Sequence, residues 1–364
     1  METKHFLDAH LHAWEFCLSN YFTNLASVTS LEELIETLQN RPINGWLVGV
    51  RFNQETLAEK VIPDKAFLDH AFGARPVLIV RTCLHLVIMN TAAMEQLNRY
   101  SSSGIFLEAN VFAILEALVT VLQLDMKEIV EKGLAELRQQ GITRFIDMGM
   151  DSFRRQFFDQ IDYYTTDYAL IEEALGFKLF LDGGLGARTG ALTEEYSDAP
   201  GHYGLLNYTD KQLLAIVDQV HQLNKPVALH AVGDRALDQA IHVLKESRHP
   251  MDRVEHLQYT RLDQLDTLAK LEILVCIQPI FSREIPWAKN RLGPKRMETA
   301  YAWGLMLQKG LRLLVGSDAP VDAVSPVEAA AVVDSLEGNQ HLDFAQTLDL
   351  YAKTNWSLYH WDRT

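Results

Sequence analysis

The feature that most constrains this chain is a recurrence. Short apolar runs, each the length of one β-strand, end on a histidine or an aspartate. Phe6-Leu7-Asp8-Ala9-His10-Leu11-His12 stands at the start, and Leu313-Leu314-Val315-Gly316-Ser317-Asp318 near the finish. Between them lie Val227-Ala228-Leu229-His230 and Arg253-Val254-Glu255-His256, and Lys178-Leu179-Phe180-Leu181-Asp182 begins with a lysine. Residues two apart on a strand face the same side, so Asp8, His10 and His12 are expected to share a face. The two imidazoles then sit at its exit end, where a barrel strand can present them to one cation.

Strand-like and helix-like stretches alternate along the chain, which reads as α/β with a parallel sheet. Core strands are expected at 6–11, 76–81, 143–148, 177–182, 226–231, 252–257, 272–277 and 311–317. Eight such strands make a (β/α)₈ TIM barrel, and 364 residues accommodate one with insertions near the N-terminal third. The stretches 46–52 and 161–165 also look extended and are assigned to insertions, and 13–75 to a cap over the barrel mouth. No linker or repeat divides the chain, so residues 1–364 are read as one domain. Thr209-Asp210 opens a helix, and Asp125 with Glu128 caps another that Gly141 ends.

Lys plus Arg is 33 and Asp plus Glu is 48, a net charge of −15 with no basic footprint for nucleic acid. No apolar run reaches the roughly 18 residues of a membrane span. Cys17, Cys83 and Cys276 are scattered, which argues against a disulfide framework. A cytoplasmic protein is therefore expected, with neither nucleic acid nor membrane as partner. His10, His12, His230, His256 and Asp318 fall where a barrel keeps its active site, at the carboxyl ends of strands. Those ligand types suit one or two divalent ions, zinc first among them. Each also has a plainer reading: histidines packed in a core, and for Asp318 a cap before Ala319-Pro320.

These runs resemble the amidohydrolase superfamily, specifically its YtcJ-like (amidohydrolase-3) branch. The opening Phe6–His12 motif is matched, as are Arg75-Pro76-Val77 with Arg81, His85 and Asn90-Thr91-Ala92-Ala93-Met94. Gly141-Ile142-Thr143 with Asp147-Met148-Gly149 follows, then the long run Phe177–Leu192 with its Gly-rich Gly183-Gly184-Leu185-Gly186. Leu229-His230-Ala231-Val232-Gly233-Asp234, Val254-Glu255-His256-Leu257-Gln258 and Gly316-Ser317-Asp318-Ala319-Pro320-Val321 complete the series in family order. Any one of these alone says little; the ordered set is specific.

The resemblance implies that His10 and His12 hold one metal, and His230 and His256 a second, or that one ion uses a subset. It implies that Lys178 is carbamylated and bridges two ions, against the plainer reading of a lysine paired with Asp182 or Asp318. Asp318 would touch the metal and carry a proton. His85 is a candidate for positioning the substrate carbonyl and Arg188 for binding a substrate anion, or for bracing its loop. Family members usually carry a β-sandwich subdomain before and after the barrel. Here the first strand begins at about residue 5 and the sequence stops at Thr364, so that subdomain is expected to be missing. The surface it would cover then suggests a homo-oligomer. The implied reaction is metal-dependent hydrolysis of amide-type C–N bonds other than peptide bonds. A mononuclear deaminase, an ester or lactone hydrolase and a non-catalytic truncated barrel acting as a binding module are the rivals.

Overall fold

The computed structural model describes residues 5–107 and 109–357. The chain divides into two compact units: Met1–Ala13 with Ala135–Thr364, and Trp14–Leu134. In chain order the strands are β1 (Phe6–Leu11), β2 (Thr23–Asn24), β3 (Leu47–Phe52), β4 (Val77–Arg81), β5 (Leu86–Met89), β6 (Ile105–Leu107) and β7 (Ile142–Met150). They continue with β8 (Asp162–Thr165), β9 (Gly176–Phe180), β10 (Val227–Ala231), β11 (Arg253–His256), β12 (Leu274–Ile277) and β13 (Arg312–Val315).

The first unit is the expected (β/α)₈ barrel. Its eight strands run in the order β1-β7-β8-β9-β10-β11-β12-β13 and every ladder between them is parallel. The seam between β13 and β1 is closed by single bonds. Asp318 N donates to His10 O (2.7 Å), His12 N donates to Ala319 O (2.9 Å), and the Asn355 amide bridges Leu7 O and Val315 O at 2.7 Å each. Gly316 is required at this seam, because a Cβ there would lie 2.5 Å from His10 N. The Asp210–Gln222 helix carries the expected cap as a full capping box, Thr209 with Gln212.

Inside the barrel, Leu7, Ala9, Ile146, Met148, Tyr164, Ala228, Leu274, Cys276 and Leu314 pack into one apolar cluster. These come from β1, β7, β8, β10, β12 and β13. The two strands missing from that set, β9 and β11, instead bring Lys178, Arg253 and Glu255, all buried.

Two expected strands change places. The run 76–81 is β4, which pairs in parallel with β3 in a five-stranded mixed sheet ordered β2-β3-β4-β5-β6. The third barrel strand is β8, at the 161–165 stretch read as an insertion. The cause is physical: an apolar run buried on both faces looks the same in either sheet. Only the short Ser152–Arg155 helix stands between β7 and β8, so the usual long crossover helix gave no cue. The second unit has its own core, from Leu25, Leu34, Leu38, Leu47, Phe52, Leu68, Val77, Ile79, Leu86 and Ile88 among others. Among the described residues, no helix is long and apolar enough to cross a membrane.

Candidate metal centre

The strand ends deliver five of the expected side chains to one place. The ring centroids form a continuous run: His12 to His10 at 5.6 Å, His10 to His256 at 4.9 Å, His256 to His230 at 4.3 Å. Asp318 joins them. Its Oδ1 lies 3.2 Å from His10 Nε2 and 3.1 Å from His12 Nε2, and its Oδ2 3.9 Å from His256 Nδ1. Ligand-type atoms of His10, His256 and Asp318 all fall within 4.8 Å of one another, and all three residues are buried.

Local backbone explains how the side chains arrive. The β1–β7 ladder slips register between Asp8 and Leu11, so the strict alternation expected for Asp8, His10 and His12 is interrupted there; such a slip re-aims side chains. On β11 the alternation would turn His256 away from Arg253 and Glu255. His256 (φ 76°) and Leu257 (φ 50°) are instead left-handed, and the imidazole meets the other rings. Asp318 is left-handed too, at φ 56°. Such conformations are costly for residues with a Cβ and gather at functional sites.

Partners set which ring nitrogen is available. Gly183 O lies 3.2 Å from His230 Nε2; a carbonyl only accepts, so that nitrogen carries the proton and Nδ1 keeps the lone pair. Gln278 Oε1 lies 2.9 Å from His256 Nδ1, which leaves Nε2 as its lone-pair atom. His10 Nδ1 sits 2.5 Å from Glu255 Oε2. Asp8 accepts from Ser317 N and His10 N, each at 3.0 Å, holding the ends of β1 and β13 in register.

The electrostatics are those of a charged centre out of water. Burial alone would raise the Asp318 carboxyl, but His10, together with His12 and His256, draws it well below the usual carboxylate range. Burial lowers the Lys178 amine to about 8, against the pull of Glu255 and Asp318. Burial also lowers His256 to about 3 and raises Asp8 to about 7. Three deeply buried polar atoms in this region make no hydrogen bond: His10 Nε2, Asp318 Oδ1 and Lys178 Nζ. Buried polar groups are otherwise almost always paired. A ring nitrogen beside a carboxylate oxygen, both unbonded, is the donor set a divalent ion takes, so the residues fit a metal.

A family model, the amidohydrolase family, matches residues 6–363. The chain belongs to the amidohydrolase family. YtcJ of Bacillus subtilis (strain 168) is 27% identical over 88% of this chain and 71% of its own length. The Arabidopsis thaliana protein LONG AFTER FAR-RED 3 is 21% identical over 89% of this chain and 66% of its own length. An uncharacterized metal-dependent hydrolase from Pyrococcus horikoshii OT3 superposes with a TM-score of 0.79 at 26% identity, covering 98% of this chain and 81% of that one. A second, from Pyrococcus furiosus, gives a TM-score of 0.76 at 25% identity, over 99% and 83% of the two chains.

Lys178 is buried on β9, its Nζ 4.9 Å from the Phe180 ring centroid, and Phe180 in turn lies 5.4 Å from His230. Arg188 holds Asp198 through two bonds, Nε at 3.1 Å and Nη2 at 3.0 Å, which is the loop brace rather than an open fork. His85 sits in the turn between β4 and β5 of the second unit. Its expected role rested on 76–81 being a barrel strand, and the corrected strand order removes that ground. Asp182 accepts from Ala191 N, Val232 N and Gly233 N, pinning the Gly-rich loop to the end of β10. Sequence reasoning missed Glu255, Arg253 and Gln278. A signal was present: Arg253 and Glu255, two apart and so on one face of a short strand, stand directly before His256.

Proposed function

We propose that this chain hydrolyses an amide-type C–N bond of a small molecule at the β1/β13 rim, with Asp318 as the proton carrier. The observation that carries the reading is the meeting of the Asp318 carboxylate with His10, His12 and His256 in a buried site. A divalent ion held there, zinc by the nature of the ligands, supplies Lewis acidity that acidifies a water and polarises a carbonyl. His10 and His12 would bind through Nε2, His230 through Nδ1 and His256 through Nε2. Asp318, kept ionised by its neighbours, accepts the proton of the attacking water at a carboxylate oxygen. It then returns that proton to the leaving nitrogen.

Lys178 fits the same scheme once modified. Its neutral amine adds to carbon dioxide, giving a carbamate and a proton, and replaces a cation with two anionic oxygens. A bare ammonium would repel the ion, and the depressed amine pKa of about 8 makes the neutral form accessible. A deaminase reading would need Asp234 as a proton shuttle. Instead Asp234 takes the Thr193 backbone amide at 2.9 Å and Arg261 at 3.0 Å, the bonds of a loop anchor.

The test is Asp318→Asn, assayed over N-acyl amino acids, formamides and small esters with zinc-loaded protein. Turnover should fall by about 10²–10⁴-fold at saturating zinc, the range for general acid–base groups, while the fold persists. Normal turnover in this variant removes Asp318 from the mechanism.

A further inference from the structure

Arg253 and Glu255 lie on β11, whose sheet neighbours are β10 and β12. Yet their contacts reach across the barrel to strands with which β11 forms no ladder. Arg253 Nη2 donates to Glu255 Oε2 and to the Ala9 carbonyl of β1, each at 2.9 Å. Its Nε donates to the other Glu255 oxygen, and the guanidinium lies 5.4 Å from the Tyr164 ring of β8. Glu255 Oε2 meets His10 Nδ1 at 2.5 Å. Arg253 is 1% exposed and Glu255 0%, so neither charge is screened by water.

A buried ion pair adds little stability over an apolar pair of the same volume, and often less. Stability therefore does not account for placing one inside this lumen. What the pair does hold is a ligand. An ionised carboxylate only accepts, so His10 Nδ1 carries a ring proton toward Glu255, and Nε2 is the nitrogen turned toward Asp318 and the site. Arg253 also takes the carbonyl of the peptide that begins His10, fixing the backbone from which that ring hangs.

We propose that Arg253 and Glu255 are positioning residues for the metal centre: Glu255 selects the His10 tautomer that binds through Nε2, and Arg253 locks both that carboxylate and the Ala9–His10 peptide. The inference rests on His10 being a ligand, as the proposed function has it. The partners of metal-bound histidines typically account for 10–100-fold in metal affinity.

The experiment uses the full chain stripped of metal, zinc alone as the probe, and competition with a chromophoric chelator as the readout. Glu255→Gln keeps the shape and removes the charge. Because it strands Arg253 as a lone buried cation, the double variant Arg253→Met/Glu255→Gln carries the test if the single one does not fold. Zinc affinity should fall about 10–100-fold. In zinc-loaded protein labelled with ¹⁵N-histidine, the His10 ring should be pure Nδ1–H in the wild type and a mixture of tautomers in the variant, since a carboxamide can donate as well as accept. Its signals are assigned by their loss in His10→Asn. Wild-type affinity in a folded variant overturns the inference, and so does a fall in affinity with the tautomer unchanged, which would assign the pair to packing. A wild-type chain that takes up no zinc overturns the metal-centre reading itself, and this inference with it.

Discussion

Gly316 gives the sharpest mechanical prediction. A Cβ at this position would stand 2.5 Å from His10 N, 2.6 Å from His10 Cβ and 2.8 Å from His10 O, all on β1. Ordinary contact begins at 3.4 Å, so Gly316→Ala must part the two segments by about 0.9 Å, that is 3.4 − 2.5. The seam there is held by Asp318 N to His10 O at 2.7 Å and by Ser317 N to Asp8 Oδ1 at 3.0 Å. The displacement therefore falls between two of the five residues assigned to the metal. Overpacking of this kind costs about 1–3 kcal/mol in stability, and a misplacement of about 1 Å can cost 10²-fold in rate. Gly310 is the control: its φ is +74° and nothing lies within 4 Å of its would-be Cβ. Gly310→Ala should cost a similar roughly 1–2 kcal/mol through backbone strain alone. Urea unfolding and zinc competition on both variants separate the effects. Both should lose stability, and only Gly316→Ala should lose zinc affinity. Equal zinc affinity in Gly316→Ala and wild type would refute the reasoning, as would an equal loss in Gly310→Ala.

Four further outcomes follow from the same geometry. Lys178 has a folded-state pKa of about 8 against an ordinary 10.5, so between those values the unfolded chain binds more protons. Its contribution to metal-free stability should thus rise as pH climbs from about 8 to 10.5, a slope that Lys178→Met removes; an unchanged slope in the variant contradicts the assignment. Carbamate at Lys178, read by mass or by ¹³C-bicarbonate NMR, should likewise increase through pH 8, and a lysine unmodified at every pH excludes it. Asp182→Asn has one oxygen to accept three backbone amides, from Ala191, Val232 and Gly233. It should cost about 1–3 kcal/mol, measured by chemical unfolding, and a neutral effect would show the loop is pinned by something else. Arg188→Ala breaks a pair with Asp198 that is about one-third exposed. It should change stability by no more than about 1 kcal/mol and leave turnover near wild type; a large loss of turnover at unchanged stability would restore Arg188 to substrate binding.

The barrel and most of its centre were legible because the informative residues sit at the ends of apolar runs, and a parallel strand has only one productive end. That pattern points His10, His12, His230, His256 and Asp318 to one rim from the sequence alone. The strand order was less legible. The β4 run, Val77-Leu78-Ile79-Val80-Arg81, is more apolar than β8, Asp162-Tyr163-Tyr164-Thr165, yet β8 takes the barrel position, because which neighbour a strand bonds is a non-local fact. His85 loses its strand-based argument through that exchange, since the strand before it belongs to the five-stranded sheet. Glu255 was overlooked for a different reason. Alternation puts it and His256 on opposite faces, and only the left-handed backbone at His256 and Leu257 brings both into one site. Arg188 shows the limit of residue type: its fork suits a substrate anion, but a carboxylate ten residues along the same loop satisfies it first.

The most direct measurement is anomalous diffraction at the zinc edge from crystals of the full chain grown with zinc. The account predicts a peak at the rim where β1 and β13 meet, about 2.0–2.2 Å from histidine nitrogens and the Asp318 carboxylate. Zinc bound only elsewhere on the chain, with that rim empty and His10 and Asp318 in direct contact, would contradict it.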